Sequence, residues 1–370
     1  MKLTRVFCLL AAFLLLGFCV TSAPELPSPA ATQATEPNDD LSALENVPAH
    51  IRMTFAGDCT LASYNEDDEA VYRFPKVYER SGSLTYPFDL VRHLFERDDL
   101  TVVNFEGTLT GQTEHANKAY FFKGPPEYAA ILSASSIEAA TLANNHSRDY
   151  FEQGFIDTKT NLQNAGVGVI YEEQPFVTNI QGVEAVIIGD NTAFLEDITK
   201  GEVAERVLRQ IKERKREDNI TVVNMHWGIE RDIRPTAWQQ KTARMWIDAG
   251  ADLIVGHHPH LLQGIELYAG KYIVYSLGNF AFGGIFSAPQ KETALLHVVA
   301  TAAKNRPPRL EIAVTPCYVS SSNLMGRDGG LINNYQPMPV TGGQAEQVMA
   351  LILQRSALLE HGVTELRVES

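Results

Sequence analysis

The stretch that decides the fold is residues 221–260, TVVNMHWGIERDIRPTAWQQKTARMWIDAGADLIVGHHPH. Two short apolar runs rich in β-branched residues, Thr221–Met225 and Ala251–Gly256, predict two buried strands. Between them, apolar residues recur at helical spacing over Thr236–Asp248, and Gly250 provides a helix stop. The stretch therefore predicts a strand, a helix and a second strand, which is the unit of an open α/β sheet.

Histidines mark the ends of both predicted strands. His226 follows the first strand, and His257, His258 and His260 follow the second. In open α/β sheets ligands bind at the carboxyl ends of the strands, and imidazole is the commonest protein ligand for zinc-like ions. These histidines therefore predict a metal site at this edge of the sheet.

The same kind of strand end recurs along the chain. Other apolar runs end in polar side chains at Asp58, Asn104, Glu106, Asn144, Asn145, His146 and Asn279. Turn chemistry explains aspartate and asparagine at such places, but it does not explain the histidines. We therefore predict one metal centre whose donors are Asp58, Glu106, Asn145, His226, His258 and His260.

The donor types narrow the choice of ion. Carboxylate, amide oxygen and imidazole, without a sulfur-rich set, suit manganese, iron or zinc better than calcium. Six donors exceed the four that one tetrahedral ion uses. Two divalent transition ions sharing a bridging carboxylate would use them all, and such a pair, about 3.5–4 Å apart, lowers the pKa of a bridging water.

His146 and Asp149 are the predicted catalytic residues. His146 follows Asn145 in a predicted turn, and Asp149 lies three residues further on. An imidazole steadied by a carboxylate is a suitable acid for a leaving group. The alternative is that Asp149 caps the following helix, and one side chain can do both.

Arginines near these motifs predict a substrate rim. Arg148 lies shortly after His146, and Arg231 and Arg234 follow the His226 strand. Arginine binds carboxylates through paired hydrogen bonds, so we predict that these residues, with Asn279, contact an anionic substrate. An equally weighted alternative is that these arginines balance the negative charge of acidic residues on the surface. The net charge of -14 argues against nucleic acid as a partner, because phosphate binding needs a basic face.

The N-terminal region predicts export. Residues 1–23 combine Lys2 and Arg5 with an apolar core and small residues, as in a cleaved export signal, with an uncleaved membrane anchor as the alternative. Residues 24–49 are rich in Pro, Ala and Thr and predict a disordered tether. Residues 50–370 are predicted to form a single domain, placed in the periplasm or outside the cell. We predict that its two cysteines, Cys59 and Cys317, are small buried side chains rather than parts of a disulfide framework.

The motifs also occur in an informative order. They are Gly-Asp after a strand, Asn-Phe-Glu, Asn-Asn-His-x-x-Asp, His-Trp-Gly, Gly-His-His-Pro-His and Ser-Leu-Gly-Asn-Phe. Over about Arg52 to Gly283 this order resembles the CapA-type capsule proteins, which are associated with poly-γ-glutamate synthesis. That family looks like a branch of the calcineurin-like metallophosphoesterase fold. The resemblance implies an α/β protein built as a two-sheet αββα sandwich with a dimetal site.

The resemblance also implies individual roles. Glu106 stands at the bridging carboxylate, and His258 and His260 at the late histidine pair, with His257 as an alternative partner. Two departures are visible: Thr60 takes the histidine position of the usual Asp-x-His opening, and Glu106 replaces aspartate. One metal position is therefore expected to be poorly held or empty.

Three functions remain open from the sequence. The first is a metal-dependent hydrolase or transferase acting on poly-γ-glutamate or a related amide polymer. The second is a non-catalytic envelope component that binds, tethers or helps export an anionic polymer. The third is a phosphoesterase acting on a small exported substrate. The resemblance implies an anionic polymer and the capsule synthesis machinery at the membrane as partners.

Overall fold

The computed structural model describes residues 48–64, 70–288, 290–326 and 329–369. The α-helices of these residues are α1 (Phe74–Ser81), α2 (Arg92–Phe95), α3 (Ala129–Ala134), α4 (Phe151–Asn164), α5 (Asp197–Arg214), α6 (Ala237–Asp248) and α7 (Gly342–Ser356). Two short 3₁₀ helices, Tyr86–Phe88 and Pro126–Tyr128, precede α2 and α3.

Most strands lie in two large sheets. In chain order they begin with β1 (Ala49–Thr60), β2 (Ser63–Tyr64), β3 (Leu100–Phe105), β4 (Thr108–Leu109), β5 (Phe122–Gly124), β6 (Ala139–Thr141), β7 (Gly168–Ile170), β8 (Phe176–Ile180), β9 (Val183–Asn191) and β10 (Ile220–His226). They continue with β11 (Leu253–His257), β12 (Ile265–Tyr268), β13 (Lys271–Val274), β14 (Asn279–Phe282), β15 (Ser287–Ala288), β16 (Glu292–Ala303), β17 (Arg306–Tyr318), β18 (Leu331–Ile332), β19 (Met338–Pro339) and β20 (Arg367–Val368).

The topology of the two sheets brings the strand ends together. The first sheet has the order β19-β17-β16-β1-β3-β6-β7, with β14 paired to β1 and β20 paired to β17. The second has the order β12-β13-β11-β10-β9-β8. Strands β1, β3, β6, β7 and β14 run parallel in the first sheet, as do β9, β10, β11 and β13 in the second. Each sheet therefore collects the carboxyl ends of several strands at one edge.

The sheets pack face to face, with helices on both outer faces. Between them, Ile51 and Phe55 of β1 share one buried cluster with Val222 of β10 and Val255 of β11. Apolar residues of α1 to α4 cover the outer face of the first sheet, and those of α5 and α6 cover the second. Burying a large apolar side chain contributes about 1.5–3 kcal/mol, so these clusters hold the layers together. The layers confirm the predicted two-sheet αββα sandwich.

The strand-helix-strand unit predicted from residues 221–260 is formed by β10, α6 and β11. Helix α6 begins at a capping box, in which the backbone N–H of Gln239 donates to the Thr236 hydroxyl at 3.2 Å. The Thr236 backbone N–H in turn donates to the Gln239 side chain at 2.8 Å. The Trp246 ring of α6 stacks on Trp227, with ring centres 5.8 Å apart. The helix is thereby fixed against the sheet directly beside the end of β10.

Some predicted elements differ from the observed ones. Residues 201–218 have an amphipathic pattern that predicts a helix. The observed α5 begins earlier, at Asp197, and ends at Arg214, where Lys215 is extended and its ammonium group donates to Asp252 at 2.6 Å. Apolar residues at helical spacing also predict one helix over residues 86–97, but the structure divides this segment into a 3₁₀ helix and the short α2. Strands β2, β4 and β5 form a small separate sheet that was not predicted.

Two further predictions concern the cysteines and the N-terminus. Cys59 and Cys317 are buried and carry free thiols, which agrees with the prediction that they are small buried side chains. The predicted export signal (1–23) and nearly all of the tether (24–49) lie outside the described residues, so this division of the chain stays a prediction. Among the described helices, none has the length and apolarity that a membrane span requires.

Candidate metal centre

The six predicted ligands meet where the carboxyl ends of the two sheets face each other. Asp58 lies on β1, directly beside Asn279 of β14 and Asn104 of β3. His226 ends β10 and is paired in register with His257 of β11. The other ligands lie on the segments that follow these strands or β6: Glu106, Asn145, His258 and His260. Residues far apart in the sequence are therefore brought together by parallel strand pairing.

Glu106 is at the centre of this arrangement. Its carboxylate is fully buried, and neither oxygen has a hydrogen-bond partner within the described part of the chain. The Nε2 atoms of His146, His226 and His260 lie 3.8, 3.9 and 3.8 Å from its Oε1 atom. A buried carboxylate without a partner is costly, and a cation among these nitrogens would compensate for it. The donor set therefore fits a divalent metal ion.

Asp58 adds a second buried carboxylate. Asn104 donates its side-chain N–H to Oδ1 at 2.8 Å, and His260 Nδ1 lies 3.2 Å from Oδ2. Burial alone would raise the pKa of Asp58, but hydrogen bonds and charge from His257 and His260 outweigh burial and hold this pKa well below its usual value. Asp58 is therefore ionised and, with Glu106 and His260, offers ligand atoms within 4.8 Å of one another.

His226, His258 and Asn145 form the other side of the centre. His226 Nε2 lies 2.6 Å from Asn145 Oδ1 and 3.1 Å from His258 Nδ1. Burial lowers the pKa of His226 well below its usual value, and burial and the neighbouring His260 lower that of His258 to about 3. Neutral imidazoles keep the lone pairs that a metal ion needs.

His260 is oriented by its neighbours. Its Nδ1 lies 2.9 Å from the side-chain oxygen of Asn279, which leaves Nε2 directed toward Glu106. Burial would lower the pKa of His260, but Glu106, Asp58 and Glu230 together raise it to about 9. Asn279, which we predicted to contact substrate, is thus placed to hold a ligand ring, as partners of metal-binding histidines commonly do.

His146 is paired with Asp149 at the edge of the centre. The imidazole donates from Nδ1 to Asp149 Oδ2 at 2.7 Å. The same carboxylate accepts hydrogen bonds from the backbone N–H of Phe122 at 2.8 Å and from the Lys118 ammonium group at 2.5 Å. Helix α4 begins after Tyr150 and has no side-chain cap, so the structure shows Asp149 supporting His146 rather than capping the helix.

The backbone around the centre is strained. His258, His260 and Arg231 have φ angles of 96°, 58° and 60°, in a region that residues other than glycine rarely adopt. Such strain costs about 1–3 kcal/mol per residue and collects at functional sites. Gly57 is needed for a steric reason, because a Cβ atom there would lie 2.0 Å from the Gly278 carbonyl oxygen. Only glycine lets β1 approach the segment before β14 so closely.

Glu230 belongs to this site but was missed in the sequence. Its exposed carboxylate offers an oxygen within 4.8 Å of ligand nitrogens of His258 and His260. The sequence feature that could have indicated it is an acidic residue four positions after His226, in the segment that follows the strand ending in that predicted ligand. One acid in a polar loop is too common for its position to indicate a ligand.

A cleft of about 560 Å³ opens beside the centre. His146, His260 and Glu230 line it, together with an aromatic and basic wall formed by Tyr64, Tyr72, Arg73, Tyr120, Phe122, Arg231 and Phe286. The buried Arg73 guanidinium lies 4.2 Å from the centre of the Tyr64 ring. The cleft could therefore accommodate a chain that carries both negative charge and planar groups.

The three predicted substrate arginines do not share one environment. Arg231 lines the cleft. Arg148 instead pairs with Glu152 at 3.1 Å and with Glu172 at 3.4 Å on the surface. Arg234 is exposed and is not among the residues lining the cleft. Among the three, the geometry favours Arg231 as a substrate contact.

A buried carboxylate among imidazoles, at the carboxyl ends of two sheets, defines this chain as an α/β protein with a candidate divalent metal centre. Over residues 52–284 the sequence matches the family described as bacterial capsule synthesis protein PGA_cap, and the chain belongs to that family. This match confirms the predicted CapA-type resemblance.

Individual relatives agree with this assignment. The chain is 34% identical over 251 residues to the PGA biosynthesis protein CapA of Bacillus subtilis (strain 168), which covers 63% of each chain. It is 29% identical over 259 residues to the capsule biosynthesis protein CapA of Bacillus anthracis, over 63% of this chain and 60% of that relative. The alignment thus spans less than two thirds of either relative.

Solved structures of low sequence identity also align. A hypothetical protein from Thermus thermophilus aligns with 72% of this chain and 99% of its own, with a TM-score of 0.44 and 14% identity. A 5'-nucleotidase precursor from the same organism aligns with 84% of this chain and 60% of its own, with a TM-score of 0.40 and 15% identity.

Proposed function

We propose that this capsule synthesis protein is a metal-dependent hydrolase or transferase that acts on poly-γ-glutamate or a related amide polymer. One Bacillus relative is named a PGA biosynthesis protein and the other a capsule biosynthesis protein, and these names support a polymer of this kind as the substrate. We further propose that it works at the cell envelope, exported or anchored through residues 1–23, where it would meet the polymer and the capsule synthesis machinery.

The observation that carries the proposal is the pairing of His146 with Asp149 at the cleft. Burial lowers the pKa of His146, although the Asp149 carboxylate opposes this change, so the imidazole is neutral at neutral pH. Because the Nδ1–H group donates a hydrogen bond to Asp149, the free lone pair of the imidazole is on Nε2. His146 lines the cleft, so Nε2 is placed to exchange a proton with a bound substrate.

The proposed reaction follows from this protonation state. His146 Nε2 accepts the proton of the attacking water or hydroxyl group as its oxygen bonds to the scissile carbonyl carbon. Asp149 stabilises the imidazolium that forms, and His146 then returns the proton to the departing nitrogen as the C–N bond breaks. When bound, a divalent ion would supply Lewis-acid activation of the attacking oxygen and of the carbonyl group. Asp58, Glu106, Asn145, His226, His258 and His260 are the residues that would hold it.

Substrate positioning is assigned to the cleft. Arg231 can bind carboxylates of the polymer, and the neighbouring tyrosine rings can pack against its planar amide groups. Glu106 and His146 are buried, so the reaction would take place largely shielded from bulk solvent. A carboxylate-bearing amide chain therefore suits this cleft better than a small neutral molecule.

The decisive experiment measures polymer length. Protein loaded with manganese, iron or zinc is incubated with poly-γ-glutamate, and chain length is followed by gel filtration, with a generic phosphodiester in parallel. Shortening of the polymer that is lost in His146→Ala supports the proposal. Turnover of the phosphodiester alone would indicate a phosphoesterase. Binding of the polymer without turnover under any metal would reject the enzyme in favour of a non-catalytic capsule component.

A further inference from the structure

We propose that Glu230 is a metal ligand beside His258 and His260, in a chain that has threonine at position 60, where the resemblance implies a ligand histidine. The inference rests on the metal centre of the proposed function. It assigns a ligand outside the six predicted from the sequence. It also bears on the class of ion, because it adds a carboxylate to the imidazoles of His258 and His260.

Thr60 cannot act as the missing ligand. Its hydroxyl group donates to the backbone carbonyl of Glu106 at 2.6 Å, and the side chain is fully buried. That hydrogen bond fixes the start of the segment that carries Glu106 rather than offering a donor atom to an ion. A ligand beyond His258 and His260 on this side of the centre must therefore come from another segment.

Glu230 is placed to supply that ligand. Its carboxylate and the ring nitrogens of His258 and His260 all lie within 4.8 Å of one another. Two ligands of one ion, each about 2.0–2.2 Å from it, lie within this range of each other. Its carboxylate also lines the cleft with His260, so an ion held there would face the substrate.

The segment that carries Glu230 is tied to the segment that carries the histidines. The backbone N–H of Arg231 donates to the carbonyl of Pro259 at 2.9 Å, between His258 and His260. The side chain of Gln263 donates to the Asp232 carbonyl at 2.8 Å. These two hydrogen bonds hold the two segments together, so Glu230 keeps its position beside the imidazoles.

The resulting ligand set indicates a preference among ions. Glu230 contributes one carboxylate, and His258 and His260 contribute two imidazoles. Sets of two histidines and one carboxylate hold catalytic zinc and non-haem iron. The ion beside Glu230 is therefore expected to be zinc or iron, and manganese, which also suits carboxylate ligands, serves as the spectroscopic probe of the same position.

The test counts ions rather than turnover. Manganese binding to the full chain is titrated by electron paramagnetic resonance, with elemental analysis of the saturated protein. Glu230→Gln keeps the shape of the side chain and removes its charge, so it should weaken one manganese position at least tenfold, the lower end of the range for lost metal-site partners. The control is Glu217→Gln, an exposed residue before β10, at the strand end remote from His226. It should bind like the parent protein.

Two further variants separate the possible outcomes. Glu230→Asp should retain part of the affinity if the carboxylate is the ligand, and Glu230→His should shift the preference of this position toward zinc. Circular dichroism checks that each variant is folded. Unchanged manganese affinity and stoichiometry in Glu230→Gln would overturn the inference while leaving the proposed function intact. A parent protein that binds no ion would overturn both.

Discussion

His226 Nε2 lies 2.6 Å from the side-chain oxygen of Asn145, and this contact joins the second sheet to the first. His226 ends β10, whereas Asn145 follows β6. Two residues before His226, Asn224 donates its side-chain N–H to the Thr141 hydroxyl at 2.7 Å, again between the two sheets. The metal centre is therefore built on the interface between the sheets, and its geometry depends on how they pack.

Replacing His226 tests the centre directly. His226→Ala removes an imidazole that lies near Asn145, His258 and Glu106, so at least one divalent ion per chain should be lost. Elemental analysis after reconstitution with manganese, iron and zinc provides the measurement. Metal content equal to that of the parent protein would show that His226 is not a ligand.

Replacing Asn224 tests the sheet interface. Asn224→Ala removes no ligand, but it leaves the buried Thr141 hydroxyl without this donor, which costs about 1–3 kcal/mol. We expect a lower denaturation midpoint and metal affinity reduced by about tenfold, as for other changes behind a metal site. If the variant loses stability but binds metal normally, the position of the ligands does not depend on this contact.

The roles of His146 and Asp149 can be separated by rate. His146→Ala should keep its metal and its fold and lose about 10²–10⁴ in turnover on the polymer, because a positioned proton-transfer group is removed. Asp149→Asn should lose less, since the amide can still hold the ring in place. Steady-state rates measured beside metal content provide the comparison. An Asp149 variant slower than the His146 variant would contradict these roles.

Much of this architecture was predictable because it depends on local patterns. The β-branched runs before His226 and after Gly250 form β10 and β11, since each is buried on both faces. The polar residues at the strand ends could be grouped because parallel strands bring their carboxyl ends to one edge. These two rules were enough to collect Asp58, Glu106 and His226 into one centre.

The remaining features depend on contacts between distant segments. Glu230 lies at the centre because the Arg231 backbone N–H is hydrogen-bonded to the Pro259 carbonyl. No periodic pattern in the sequence indicates this contact. Arg148 was expected at the substrate rim, but Glu152 and Glu172 hold it on the surface. The two-residue strands were missed for the same reason, since such short segments carry no periodic pattern and form only through their partners.

The substrate arginines provide a matched pair of variants. Arg231 lines the cleft, whereas Arg148 is held by two glutamates. Arg231→Ala should weaken poly-γ-glutamate binding by about tenfold, the value of one hydrogen bond to a charged group, and the effect should shrink as salt rises. Arg148→Ala and Arg234→Ala should change binding little. Titration at two ionic strengths measures this, and equal losses in all three variants would reject Arg231 as a specific contact.

A polar network away from the metal centre makes stability depend on pH. His297 Nδ1 lies 3.0 Å from the Thr54 hydroxyl, and Nε2 lies 2.8 Å from the Thr315 hydroxyl. Burial lowers the pKa of His297 to about 4, although Glu369 opposes the change, and burial raises that of Asp98 to about 7. The other charged groups around this small cavity are Arg52, Arg97, Glu311, Arg367 and Glu369.

The lowered pKa of His297 predicts a contribution to stability that is lost in acid. The unfolded chain takes up a proton at His297 below about pH 6.5, whereas the folded chain does so only near pH 4, so stabilisation is present above this window and is lost as pH falls through it. At pH 4.5 this loss is about 2–3 kcal/mol. Asp98 acts in the opposite sense, because its raised pKa removes stability as pH rises toward 7. Relative to its own value at pH 7, the urea midpoint at pH 4.5 should therefore be higher in His297→Gln than in the parent protein, while the exposed His93→Gln control should match the parent. An unchanged pH difference in His297→Gln would show that other groups cause the acid sensitivity.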